Sequence, residues 1–204
     1  LGKRMSALGA HPRLAAMMLA ADNPGQAARA CDIAALLEAR DPIRGTEIPA
    51  DITTRLEAIA DPSAVLGADR GTVHQIRQAA RQYRARLGIG AEREADGDPA
   101  PLIAAAFPDR LAQRRNEPGS FRLSGGGGAK LPVTDPLAKA SLLAVAALEM
   151  KTSPLIRMAA PLDAANLPAS LASHIKETVE TSLDPVSGSV LARRVLAQLL
   201  RVLR

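Results

Sequence analysis

The chain has 204 residues, with 26 Lys and Arg against 21 Asp and Glu, a net charge of +5 and a pI near 10. That length can bury a real core in one large domain or two small ones. The mild basic excess permits a polyanionic partner without requiring one. The single cysteine, Cys31, excludes an intramolecular disulfide, and His11, His74 and His174 are too far apart in sequence for a structural metal site. No apolar stretch approaches the roughly 20 residues that span a bilayer, and no signal-peptide pattern opens the chain. A soluble cytoplasmic protein is therefore expected.

Trp is absent and only Tyr83, Phe107 and Phe121 are aromatic, so the core must be aliphatic, and a chain rich in Ala and Leu favours helix. Apolar residues from Leu14 to Ala21 predict a short helix stopped by Asn23-Pro24-Gly25. A second helix spans Gln26 to Ala39, burying Ile33, Leu36 and Leu37, and ends before Asp41-Pro42. Within it, Cys31 reads as a small buried hydrophobe. Ile52, Leu56 and Ile59 mark a third helix, stopped by Asp61-Pro62. The longest runs from Gly71 to Leu87, with Val73, Ile76, Ala80, Tyr83 and Leu87 as its apolar stripe and Arg77, Arg81 and Arg84 on the other side. Gly88 to Pro99 reads as an exposed loop, and Pro101 to Phe107 as one or two more helical turns.

After Arg115 the pattern changes. Phe121 to Ser124, four glycines and Ala129 to Val133 predict two short strands on a Gly-rich connection. Leu142 to Ala160 predicts a second hairpin. Leu167 to His174 is expected to be a short helix. Thr178 to Leu183 and Ser189 to Arg194, across the turn Asp184 to Gly188, predict a third hairpin. The expected fold is mainly α with a smaller β portion: a helical bundle over residues 1–116, then a small open barrel or curled sheet over 117–204.

The glycines 125–128 invite a phosphate-loop reading, but Lys130 leads into Leu131-Pro132 rather than a Lys-Ser or Lys-Thr opening a helix. No acidic box follows an apolar strand, so ATP hydrolysis is not expected within these residues. No nucleophile–base set stands out, and no catalytic, cofactor or metal residue is assigned. The candidate sites are basic. Arg77, Arg81 and Arg84 on one helix, Arg114 and Arg115, Arg122, Lys130, and Arg193 and Arg194 could hold the phosphates of a nucleic acid. With almost no aromatics to stack bases, such contacts would be dominated by backbone charge and be salt-dependent.

Several ordered strings resemble the HrpB-type branch of bacterial DEAH/RHA-like helicases. They are Leu1-Gly2-Lys3-Arg4-Met5 with His11-Pro12-Arg13-Leu14-Ala15; Ala34 to Pro42, ending Arg40-Asp41-Pro42; Ala105 to Arg115; Phe121 to Leu131; Asp135-Pro136-Leu137-Ala138; and Ile156 to Leu162. After Leu167 the similarity loosens, because Thr181-Ser182-Leu183-Asp184 replaces an expected Trp-Asp. The resemblance implies a fragment that begins at the end of a winged helix, continues as a ratchet-like bundle and closes in an OB-like fold. It places two RecA-like motor domains, with their ATP and magnesium, before Leu1. Single-stranded RNA or DNA and those motor domains are the implied partners. The alternative from the residues alone is a protein-interaction or motor-bracing module whose arginines are merely solvated.

Overall fold

The structure is a computed structural model that describes residues 2–166, 175–183 and 190–198. Six helices come first: α1 (Gly2–Leu8), α2 (Pro12–Leu19), α3 (Pro24–Glu38), α4 (Ile52–Ala60), α5 (Arg70–Leu87) and α6 (Pro99–Ala106). Their starts are written locally. Asn23, Asp51, Asp69 and Asp98 each accept a hydrogen bond from a first-turn backbone N–H, and α2, α3 and α6 carry proline at the opening positions. Helix α5 stops at Gly88, whose φ of 74° is a left-handed conformation that a side chain would strain.

Helix α3 is the axis of the bundle. Ala27, Ala28, Ala30, Cys31, Ile33, Ala34 and Ala35 are all buried, so it is enclosed on every side rather than amphipathic. Helices α2, α4, α5 and α6 pack against it. Its small residues let these neighbours approach closely.

Strands β1 (Leu111–Arg114), β2 (Ser120–Leu123), β3 (Gly128–Lys130), β4 (Leu142–Glu149) and β5 (Leu155–Pro161) form a closed barrel in the order β1-β2-β3-β5-β4. All pairings are antiparallel except β3 with β5. Strands β6 (Ile175–Leu183) and β7 (Val190–Gln198) form a separate antiparallel pair. The three expected hairpins are present, and the barrel is closed rather than open. Leu111–Arg114, expected at the end of the helical part, is strand β1, because it pairs with both β2 and β4. The helix expected over Leu167 to His174, and the turn over Asp184 to Gly188, lie outside the described residues.

Strand β4 explains why its sequence is continuously apolar. Leu143 and Val145 point into the barrel, among Phe121, Ala129 and Ile156. Leu142, Ala144 and Ala146 point the other way, into the bundle core with Leu102, Ile103 and Phe107. Met158 and Ala160 of β5 join them there. A strand buried on both faces loses the polar alternation of a half-exposed one. Phe121 is fully buried and anchors the barrel core, a burial that contributes roughly 1.5–3 kcal/mol.

Candidate nucleic-acid interface

Helix α5 carries the largest group of candidate arginines, and the structure shows what each one holds. Arg77 donates from Nε to the Ile59 carbonyl at 2.6 Å and from Nη2 to the Ala60 carbonyl at 2.7 Å, closing the end of α4. Arg86 does the same for α1 through the Leu8 carbonyl. Arg81 is exposed and pairs with Glu92 of the following loop at 2.9 Å.

Arg84 requires a correction. It is not on a solvent face with Arg77 and Arg81; it is buried against α3, with Nη2 2.8 Å from Asp32 and 3.4 Å from the Ala28 carbonyl. Burial pushes the Asp32 carboxyl up, while Arg84 beside it pulls down. Arginines three and four apart on a helix share a face, but a face some 100° wide can begin in water and end under a neighbouring helix. The α5 arginines thus serve largely as internal staples. Beside them, a surface recess is lined by Glu92, Arg93, Glu94 and Asp96, with acids in excess over the one arginine.

The barrel presents a different arrangement. Ala112, Phe121 and Ala129 point inward, so the alternate positions on β1, β2 and β3 point outward from the barrel, where Leu111 joins the bundle core. Register places Gln113 opposite Arg122 and Arg122 opposite Gly128. It also places Ser120 opposite Lys130, while the Arg115 N–H donates to the Ser120 carbonyl at 2.8 Å. Two cross-strand rows result: Gln113, Arg122, Gly128 and Arg115, Ser120, Lys130. They carry three cations and no acid. Arg115, Arg122 and Lys130 are exposed, and a methyl group on Gly128 would sit 3.5 Å from Nη2 of Arg115. The Arg115 guanidinium therefore leans over Gly128, beside Arg122.

Arg114 parts from Arg115 because successive strand residues face opposite ways. Its Nη1 donates to the Lys139 carbonyl at 2.8 Å, away from the outer rows. Arg193 and Arg194 lie on β7, in register with Glu180 and Val179; their side chains lie outside the described residues. Gln113 and Ser120 were not singled out from the sequence. The signal was present in the alternation of Ala112-Gln113-Arg114-Arg115 and Ser120-Phe121-Arg122, which sorts inner from outer positions once the strands are granted.

Nucleophilic and metal chemistry find little here. Burial pushes the Cys31 thiol up to about 12, so it is not a thiolate at neutral pH. Among the described residues, no three His, Cys, Asp or Glu side chains are grouped to hold a metal ion, and no helix is long and apolar enough to cross a membrane.

The chain thus combines a helical bundle with a closed five-stranded, OB-like barrel that shares its core, and Arg115, Arg122 and Lys130 lie on the outer face of that barrel. No family model matches the chain. It is 31% identical over 203 residues to the ATP-dependent RNA helicase HrpB of Escherichia coli (strain K12), a match covering 96% of this chain and 22% of that protein. A crystal structure of the E. coli DExH-box NTPase HrpB superposes with a TM-score of 0.69 at 31% identity, over 96% of this chain and 22% of the other. A second, of the E. coli DEAH/RHA helicase HrpB, gives 0.70 at 29% identity, over 97% and 23%. The chain is similar to this helicase along nearly all of its own length, and it spans about a fifth of the curated relative it matches.

Proposed function

We propose that this chain is the accessory segment, following the motor domains, of an ATP-dependent helicase, and that it guides single-stranded RNA or DNA across the outer face of β1, β2 and β3. In this reading RecA-like motors elsewhere in the full protein hydrolyse ATP with magnesium, and the bundle serves as a ratchet-like support. The observation that carries it is the pair of cross-strand rows holding Arg115, Arg122 and Lys130 without an intervening acid. In OB-type barrels the face of strands 2 and 3 is a recurrent oligonucleotide surface. Arg122 lies on the diagonal to both Arg115 and Lys130, where side chains across strands are about 7–8 Å apart and still within reach of one another, so the three can meet neighbouring phosphates of one strand. With no aromatic residue in the patch, the grip is electrostatic, which suits a strand that must slide.

The test is an anisotropy titration of a labelled single-stranded oligonucleotide, RNA and DNA in parallel, over a salt series. Each phosphate neutralised on a single strand contributes a slope of about −0.7 in log K against log salt, so three contacts give roughly −2. Arg115→Glu/Arg122→Glu/Lys130→Glu is expected to abolish binding and slope together, and Arg81→Glu to leave both nearly intact. Absence of binding at low salt, or binding unmoved by the triple reversal, overturns the reading. A bracing module is the second reading, favoured by α5: its exposed His74, Gln75, Gln78 and Gln82 form a face without charge. It predicts no oligonucleotide binding by the chain.

A further inference from the structure

The sequence blocks around Asp41 and Asp135 are joined through Arg55 and Ala50. The loop from α3 to α4 begins with Asp41, whose Oδ1 accepts from the Ile43 N–H at 3.0 Å and whose Oδ2 accepts from Arg55 at 3.0 Å. Arg55, only 2% exposed, also donates to the carbonyls of Pro49 and Asp51. This holds the bend at Ala50 in place, and the Ala50 side chain leaves the bundle. The Ala50 side chain, 3% exposed, sits in the barrel's own core cluster with Phe121, Val145 and Ile156. Its carbonyl accepts from the Ala159 N–H of β5 at 2.8 Å. Its N–H donates to Asp135 Oδ2 at 2.8 Å, while Asp135 Oδ1 accepts from the Leu137 N–H at 2.8 Å.

We propose that Asp135 and Ala50 form a latch that locks the barrel to the bundle, so that the two open only together and the basic patch is carried as a rigid attachment of the helices. One carboxylate ties the turn before β4 to a bundle loop, and that loop plugs the barrel. Every polar group of Ala50 is spent on the barrel side, and Arg55 fixes the same loop from the bundle side. The latch does not depend on what the patch binds.

Native-state hydrogen exchange across a denaturant series tests it on the full chain. In the wild type, amides of α3 and barrel amides such as Val145 and Phe121 are expected to exchange through one opening with the same denaturant dependence. Asp135→Asn keeps the shape but loses a carboxylate oxygen facing an N–H. It is expected to speed exchange of the barrel amides about tenfold, with a weaker denaturant dependence, while the α3 amides keep their wild-type rates. Ala50→Gly, which empties the plug, should separate the two sets in the same sense if the first variant does not fold. Two classes of opening in the wild type would overturn the latch. So would variants that shift both sets equally or neither.

Discussion

Arg84 and Asp32 lie between α3 and α5 with side chains 10% and 9% exposed, 2.8 Å apart. Taking two charges out of water is costly, and their attraction repays it only while both are present. Arg84→Met is therefore expected to destabilise the chain by about 3–5 kcal/mol, by stranding the carboxylate. The double variant Arg84→Met/Asp32→Leu should recover most of that loss in urea denaturation. Asp69 responds to pH in the ordinary sense. Hydrogen bonds from the Thr72 N–H and hydroxyl hold its carboxyl below the usual carboxylate range. A group depressed in the folded state contributes stability that is present above its unfolded value and lost as pH falls through its folded one. Exchange at the first turn of α5 should accordingly quicken in that acid window, and Asp69→Asn, which still caps, should remove the dependence. Asp32 runs the other way, since burial raises it: its penalty grows as pH rises from the unfolded towards the folded value.

At the scale of elements, the helices were legible because their signals are local. Asn23-Pro24, Asp61-Pro62 and Gly88 mark boundaries that the structure places within a few residues of the sequence reading. Strand β1 was not legible, because four residues without a β-branched side chain become a strand only by pairing with β2 and β4, partners that lie beyond them in the chain. The same gap limited the candidate site. Arg115, Arg122 and Lys130 could be named singly, but their gathering into rows depends on register, which sequence spacing does not supply. The α5 arginines illustrate the converse. A helical period puts Arg77, Arg81 and Arg84 within one arc of α5, yet says nothing of α4's open carbonyls or of Asp32, which takes Arg84 out of the solvent face.

For the molecule as a whole, one apolar core runs from α1 through α6 into β1, β4 and β5. The outer side of β4 is the wall against which α6 packs. A chain truncated after Arg110 would leave Leu102, Ile103 and Phe107 without Leu142, Ala144 and Met158. Such a fragment is expected to bind a hydrophobic dye at the bared α6 face and to unfold at a lower urea concentration than the full chain. Cation–π contacts reinforce this seam: the guanidinium of Arg110 lies 4.6 Å from the Phe107 ring centre and that of Arg13 5.7 Å, while Arg13 also pairs with Asp109.

The two-sided burial of β4 has a price in ambiguity. Sliding the strand by one residue would send Leu142, Ala144 and Ala146 into the barrel and Leu143 and Val145 into the bundle, an exchange between sets that are almost equally apolar. Hydrophobic patterning is blind to that slip. What distinguishes the correct alignment is irregularity: Val145 pairs with Ala159, but Ala147 with Met158 and Leu148 with Ile156, so Ala146 and Arg157 are each left without a partner in the ladder. Two offsets that cancel leave the strand ends in line and one alignment of the middle able to satisfy both cores. The pairing of β4 with β5 is thus keyed by its imperfections, in the way that a notch rather than the shaft decides which lock a key will turn.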